Sequence, residues 1–226
     1  QLSSRFQSDL LRSPIMVLNE GLLREGRGEM DCADAFRLLT GRMLEKAGAW
    51  LVALAPLCGR RADPDKAKAV LEASDIAFIS GGDVEEGMRI VRQKGMIPFL
   101  NRLHRRGVPF FGVSAGSIML ARRWVRWTDP RDDDSAELFS CLGFAPVLCD
   151  THGESERWAE LRAVLALSPV GATGYGIVSG AALVVEADGS VSALGGDVNV
   201  FRRRKSGVAQ VDSLAPAPAE GHPAVR

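Results

Sequence analysis

The chain has 226 residues, 46% hydrophobic and 25% charged, with 28 Lys and Arg balanced by 28 Asp and Glu. That length builds one large domain or two small ones around a substantial core, and zero net charge gives no electrostatic footprint for nucleic acid or a membrane surface. No run approaches the roughly 20 apolar residues that span a bilayer, no leader-type apolar segment is read in residues 1–13, and a cytoplasmic location is expected.

Residues 1–13 are mixed and polar. Ile15–Leu18 is a short apolar run ending in Asn19-Glu20-Gly21, which reads as a strand and turn. A glycine-rich loop over residues 21–28 has no phosphate-binding spacing. Asp31 is placed to cap a helix reaching Ala47, with Ala35, Phe36, Leu39, Met43 and Ala47 at helical spacing. Trp50–Leu54 is a second strand. Asp63-Pro64 opens another helix, burying Ala67, Val70 and Leu71. Ile76–Ile79 is a third strand, closed by Ser80-Gly81-Gly82-Asp83. Val84–Arg106 reads as one or two helices, and Pro109–Val113 as a fourth strand.

Strands alternating with helices predict an α/β fold: a mostly parallel sheet with helices on both faces. Beyond it, Trp127–Ser135 is a charged loop and Glu154–Leu167 a helix. Ala182–Glu186, Val191–Leu194 and Val198–Phe201 read as strands, forming a small antiparallel C-terminal hairpin. The basic run Arg202–Lys205 reads as a solvated strand end. Residues 206–226 carry prolines and alanines without periodicity and are expected to be a disordered tail. That leaves residues 1–205 as a single domain.

The chemistry concentrates where the fourth strand ends. Gly112-Val113-Ser114-Ala115-Gly116 is a G-x-S-x-G pattern, followed by a helix-like apolar run. Such a turn exposes the serine hydroxyl at the strand's carboxyl end, with the next N–H at a helix N-terminus where negative charge is stabilised. In open α/β sheets that rim carries the site, and Gly81-Gly82 follows a strand end on the same rim. A serine nucleophile needs a base. Of three histidines, His104 lies in a basic helix end and His222 in the tail. His152, in a loop after a predicted strand, is the one placed to serve. A base is oriented by an acid, and Asp129, Asp132, Asp133, Asp134, Glu137 and Asp150 are all candidates. Asp150 would share a strand face with His152 and could instead order the rim. Cys32, Cys58, Cys141 and Cys149 show no C-x-x-C spacing and, with three histidines, no zinc pattern. They are expected to be reduced thiols, and neither a metal nor a cofactor is expected.

These motifs resemble the peptidase E / cyanophycinase family of serine peptidases, which shares the class I glutamine amidotransferase-like fold. The resemblance runs over roughly residues 14–203. It rests on Ile79-Ser80-Gly81-Gly82-Asp83, on Phe111–Ser117, on Asp150-Thr151-His152 with Ser155-Glu156-Arg157, and on Gly174–Val185. It implies Ser114 as nucleophile, His152 as base, and an oxyanion hole of the Gly82 and Ala115 N–H groups. In the peptidase E branch the acid stands fifteen positions after the nucleophile, which falls on Asp129. Asp83, Asp150, Arg157 and Arg162 are then expected at the substrate, the arginines because a guanidinium fork suits a carboxylate. An additional first strand common in the family is missing, shortened or replaced by residues 1–13. At Val178-Ser179-Gly180, where relatives carry an acid before the glycine, this chain has Ser179.

The implied activity is hydrolysis of small peptides, Asp-X dipeptides among them. The alternatives are a cyanophycinase-type isopeptidase cutting β-aspartyl-arginine and a non-catalytic relative that binds a peptide. An α/β-hydrolase esterase fits less well, because its acid and histidine lie much further along the chain from the elbow. The expected partner is a small peptide substrate, with no nucleic acid and no membrane, and the composition leaves room for a homo-oligomer.

Overall fold

The computed structural model describes residues 15–18, 41–58, 62–129 and 131–216. The predicted loop over 21–28, the Asp31 cap and His222 lie outside them. The chain is of mixed α/β class and forms two compact units, residues 1–120 and 121–226. Among the described residues no helix is long and apolar enough to cross a membrane.

The first unit carries a parallel four-stranded sheet ordered β2-β1-β3-β4, formed by β1 (Ile15–Leu18), β2 (Val52–Ala55), β3 (Ile76–Ile79) and β4 (Phe110–Gly112). All four residues of β3 are buried. An uninterrupted apolar run of this length is what an inner parallel strand requires, since both of its faces are covered. Phe78 and Phe111, opposite each other on β3 and β4, bring their rings to 4.8 Å. Residues 41–46 are helical and end at Gly48 (φ 100°).

Three longer helices follow. In α1 (Pro64–Glu72), Asp63 accepts from the Lys66 N–H at 3.0 Å and Pro64 opens the first turn, so the start is fixed by cap and ring together. Residues 84–106 form two helices, α2 (Val84–Gln93) and α3 (Ile97–Arg105). The break falls at Gly95 (φ 65°), ahead of Pro98. α2 buries Val84, Gly87, Met88 and Val91, one stripe at i, i+3, i+4, i+7.

The second unit is richer in antiparallel pairing than the sequence suggested. β5 (Arg123–Trp127) and β6 (Ala136–Ser140) form a hairpin around the charged loop. β7 (Cys149–Thr151), β8 (Thr173–Ile177), β11 (Val198–Arg204) and β12 (Gly207–Leu214) make a mixed sheet ordered β12-β11-β8-β7, with β7 and β8 parallel. β9 (Ala182–Val185) and β10 (Val191–Leu194) form the predicted hairpin. One expectation is corrected here: residues 207–214 are not a disordered tail. A turn at Lys205-Ser206 folds the chain back, and Arg204↔Gly207 through Val198↔Leu214 pair as a hairpin. The prolines that suggested disorder begin only at Pro216.

On β8 the alternation of a strand does two jobs. Tyr175 and Ile177 face an apolar cluster with Val147, Cys149, Ala193 and Val198. Gly174 and Gly176 face the other way, toward Leu161 and Leu165 of α5 (Ala159–Ala166) and toward Trp158. A Cβ on Gly176 would lie 2.8 Å from the Trp158 indole, so the missing side chain is what lets the ring lie on the strand.

Candidate active site

Within the first unit, the chain leaves β4 and turns sharply into α4 (Ala115–Leu120). Ser114 sits on that turn at φ 54°, a left-handed conformation that a non-glycine residue adopts only where its surroundings hold it. Glycines on both sides explain how. A Cβ on Gly116 would meet the Ile79 carbonyl oxygen at 2.1 Å, and one on Gly112 would meet the Gly116 carbonyl carbon at 2.4 Å. The Val113 N–H donates to Ile79 O at 3.1 Å, and the Ser117 hydroxyl donates to Gly112 O at 2.8 Å. The turn is therefore clamped against β3, and Ser114 takes its strained backbone from that clamp.

The turn after β3 meets the same serine. A Cβ on Gly81 would lie 3.0 Å from Ser114 Cβ and 3.5 Å from its Oγ. Gly82 has φ 150°, in the region that favours glycine. Asp83 is the cap of α2, its carboxylate accepting from the Glu86 N–H at 2.7 Å. The structure thus brings Gly81 against Ser114, with Gly82 and Ala115 adjoining them in the chain.

Within the second unit, β7 and β8 run parallel with Thr151 opposite Ile177, so the residues leaving both strands emerge on one rim. His152 is the first residue past β7, exposed and at φ 60°. Its Nδ1 lies 3.4 Å from the hydroxyl of Ser179, two residues past β8. The Ser179 N–H donates to Glu154 Oε1 at 2.7 Å. That bond is the largest of several that hold the Glu154 carboxyl below its usual range; the Ser179 hydroxyl and the nearby His152 act in the same direction.

Beneath this rim the loop is pinned from inside. Trp158 is buried at φ 61°, its N–H donates to Gly153 O at 2.7 Å, and its indole would be 2.6 Å from a Cβ on Gly153. Asp150 is 3% exposed, accepting from the Thr151 N–H at 2.7 Å. Burial pushes its carboxyl up to about 7, against the lowering effect of that N–H. Cys149 beside it is buried, and burial, with Asp150 adding to it, pushes the thiol to about 12, far from nucleophile range.

The remaining candidates are placed as follows. Asp129 lies in the β5–β6 turn, where its carboxylate accepts from the Arg131 N–H at 3.0 Å and stands 3.5 Å from the Arg131 guanidinium. Glu137 pairs with Arg126 across the hairpin, and Asp132 caps the short helical turn at 133–135. Arg157 is exposed at φ 53°. Arg162 donates to the carbonyls of Arg157 and Val208, both at 2.9 Å, and lies 5.0 Å over the Phe201 ring, tying the loop to β12. His104, in the first unit, stands edge-on to Phe110. Ser179 and Glu154 were not among the expected site residues. Ser179 was visible only as a departure from relatives, and nothing in the spacing of Glu154 marked it.

The sequence pattern of Peptidase family S51 matches residues 36–192, which takes in the serine turn, the His152 loop and Ser179. The chain belongs to Peptidase family S51. Solved structures agree in fold. A peptidase from an acI-B1 Actinobacterium superposes with a TM-score of 0.61 at 15% identity, covering 93% of this chain and 90% of that one. A putative peptidase E protein from Listeria monocytogenes EGD-e gives 0.53 at 13% identity, covering 91% and 87%. Curated relatives include the pyridoxal 5'-phosphate synthase subunits PdxT of Geobacillus stearothermophilus and Geobacillus kaustophilus, each 27% identical over 137 residues. Those matches cover 61% of this chain and 65% of the relatives' own length.

Proposed function

We propose that this chain is a peptidase that hydrolyses small peptides by serine chemistry, with Ser114 as nucleophile and His152 as base. The observation that carries the reading is the Ser114 backbone: φ 54° on a strand-to-helix turn clamped by Gly112 and Gly116. A left-handed serine costs about 1–3 kcal/mol of strain, and such strain gathers at functional sites.

In this reading His152 takes the Ser114 proton as Oγ bonds to the scissile carbonyl carbon. The oxyanion is stabilised by the Gly82 and Ala115 N–H groups. The C–N bond then breaks, His152 passes its proton to the leaving amine, and water releases the acyl group by the same steps in reverse. Substrates with an acidic first residue, Asp-X dipeptides above all, are favoured, and Arg157 is the exposed cation available to a substrate carboxylate.

The test is a panel of peptides run on the wild type and Ser114→Ala. It includes acidic and neutral first residues, free and blocked termini, and β-aspartyl-arginine. Turnover of Asp-X dipeptides that disappears in the variant supports the reading. Equal turnover by both proteins removes Ser114 as nucleophile, and preference for β-aspartyl-arginine moves the assignment to an isopeptidase.

A further inference from the structure

The ring nitrogen of a catalytic histidine that faces away from its nucleophile needs a partner to fix the tautomer. In the second unit the partner within reach is Ser179, whose Oγ lies 3.4 Å from His152 Nδ1. Asp129 is engaged in its own turn with Arg131. A hydroxyl alone is a weak orienter because it either donates or accepts toward the ring. Its direction is decided by what else it can bond. Here the Glu154 carboxylate is bonded to the backbone N–H of the same serine at 2.7 Å, so an acceptor with a full charge stands beside the hydroxyl.

We propose that Ser179 and Glu154 act as one positioning pair for His152: Ser179 Oγ accepts from the ring Nδ1–H and donates its own proton to the Glu154 carboxylate. The inference rests on His152 being the base. The consequence is a relay in which a serine carries the orienting charge at one remove. The carboxylate keeps the hydroxyl proton away from the ring, which leaves the Oγ lone pair for Nδ1–H and the Nε2 lone pair for the nucleophile's proton. No proton changes owner in this arrangement; Glu154 stabilises the imidazolium electrostatically as it forms. The 3.4 Å contact is long for a hydrogen bond, as such contacts are before substrate closes them. The fold supports the pairing. Parallel β7 and β8 bring residues 152 and 179 to one rim, and Gly153, held under Trp158, turns the chain so that Glu154 comes back to the Ser179 N–H.

The test uses the full chain with Ser179→Ala, Ser179→Thr, Glu154→Gln and Asp129→Asn, beside Ser114→Ala and His152→Ala. Ser179→Ala and Glu154→Gln should each lower kcat roughly 10- to 100-fold with KM within a few-fold, less than the ~10⁴-fold seen when a carboxylate in direct contact is lost. Ser179→Thr, which keeps the hydroxyl, should restore kcat. A double variant combining Ser179→Ala with Glu154→Gln should be no slower than the slower single one, since both remove one relay. Nitrogen-15 NMR of labelled histidine, with His152→Ala identifying the signals, should show the Nδ1–H form in the wild type and its loss in Ser179→Ala. An unchanged kcat and an unchanged tautomer in Ser179→Ala overturn the pair, as does a loss confined to Asp129→Asn. Should Ser114→Ala keep full activity, the serine-peptidase reading falls separately, while the tautomer measurement still decides the pair.

Discussion

Gly116 lies so close to Ile79 that a methyl group on it would sit 2.1 Å from the Ile79 carbonyl oxygen. Backbone meets backbone there, so no flexible side chain can give way. Gly116→Ala must either push α4 off β3 or release the turn that holds Ser114 at φ 54°. The expected cost is about 3 kcal/mol or more, the upper end of overpacking effects. Thermal melts of Gly116→Ala and of Gly112→Ala would show it; a melting temperature within a degree of wild type in both would contradict the clamp.

A serine held this way should react. Ser114 is expected to form a covalent adduct with a phosphonate or sulfonyl fluoride, read by intact mass. Ser114→Ala should lose the adduct and lower kcat by about 10³-fold or more with an unchanged fold. An adduct that survives in Ser114→Ala would move the nucleophile elsewhere.

His152→Ala should abolish turnover, whereas His104→Ala should stay within a few-fold, because His104 stands on the Phe110 ring at the end of α3. Steady-state kinetics of the two variants decide the base: an inactive His104→Ala with an active His152→Ala would reverse the assignment.

Asp150 predicts a pH dependence of stability. Its carboxyl is raised by burial from 3.8 to about 7, so the folded chain binds the proton more tightly than the unfolded one. The favourable contribution is complete below about pH 4 and is lost as pH rises through about 7. Asp150→Asn carries no charge to bury and should not show that decline. Chemical denaturation at pH 5 and pH 8 should find the variant gaining on wild type by roughly 2–4 kcal/mol between the two. Parallel curves for the two proteins would rule this out.

Trp158 and Gly176 give a further check. A Cβ on Gly176 would be 2.8–2.9 Å from three indole carbons, so Gly176→Ala should displace the ring and loosen the loop bearing His152 and Glu154. Stability should fall by about 1–3 kcal/mol, and Trp fluorescence should shift toward a more exposed indole. Unchanged emission with unchanged stability would show that the ring does not rest on the strand as described.

How much of this was legible beforehand depends on distance along the chain. β3 is an apolar run bounded by turn residues, α1 opens on Asp63-Pro64, and the Ser114 turn announces itself in five consecutive residues. Each is a local signal, and each was read correctly as an element. The charged loop over Trp127–Ser135 is legible, but the strands β5 and β6 that flank it are not, because the pairing of Trp124 with Phe139 and Val125 with Leu138 lies outside any short window. Ser179 and Glu154 are 25 residues apart and meet only through the register of β7 on β8. No spacing rule contains that register. The basic run at Arg202–Lys205 read as a strand end; it lies where β11 turns back into β12.

The position of β12 has a practical consequence. It is the outermost strand of its sheet, and Arg162 reaches its Val208 carbonyl. A truncated chain stopping at residue 205, just past the basic run that ends β11, would strip that cover away. The length of β11 would become a bare edge with unpaired N–H and C=O groups, the kind of template that recruits other chains. Expression trials on such a shortened form should yield aggregates, and their failure would be one of trimming rather than of the peptidase's own folding.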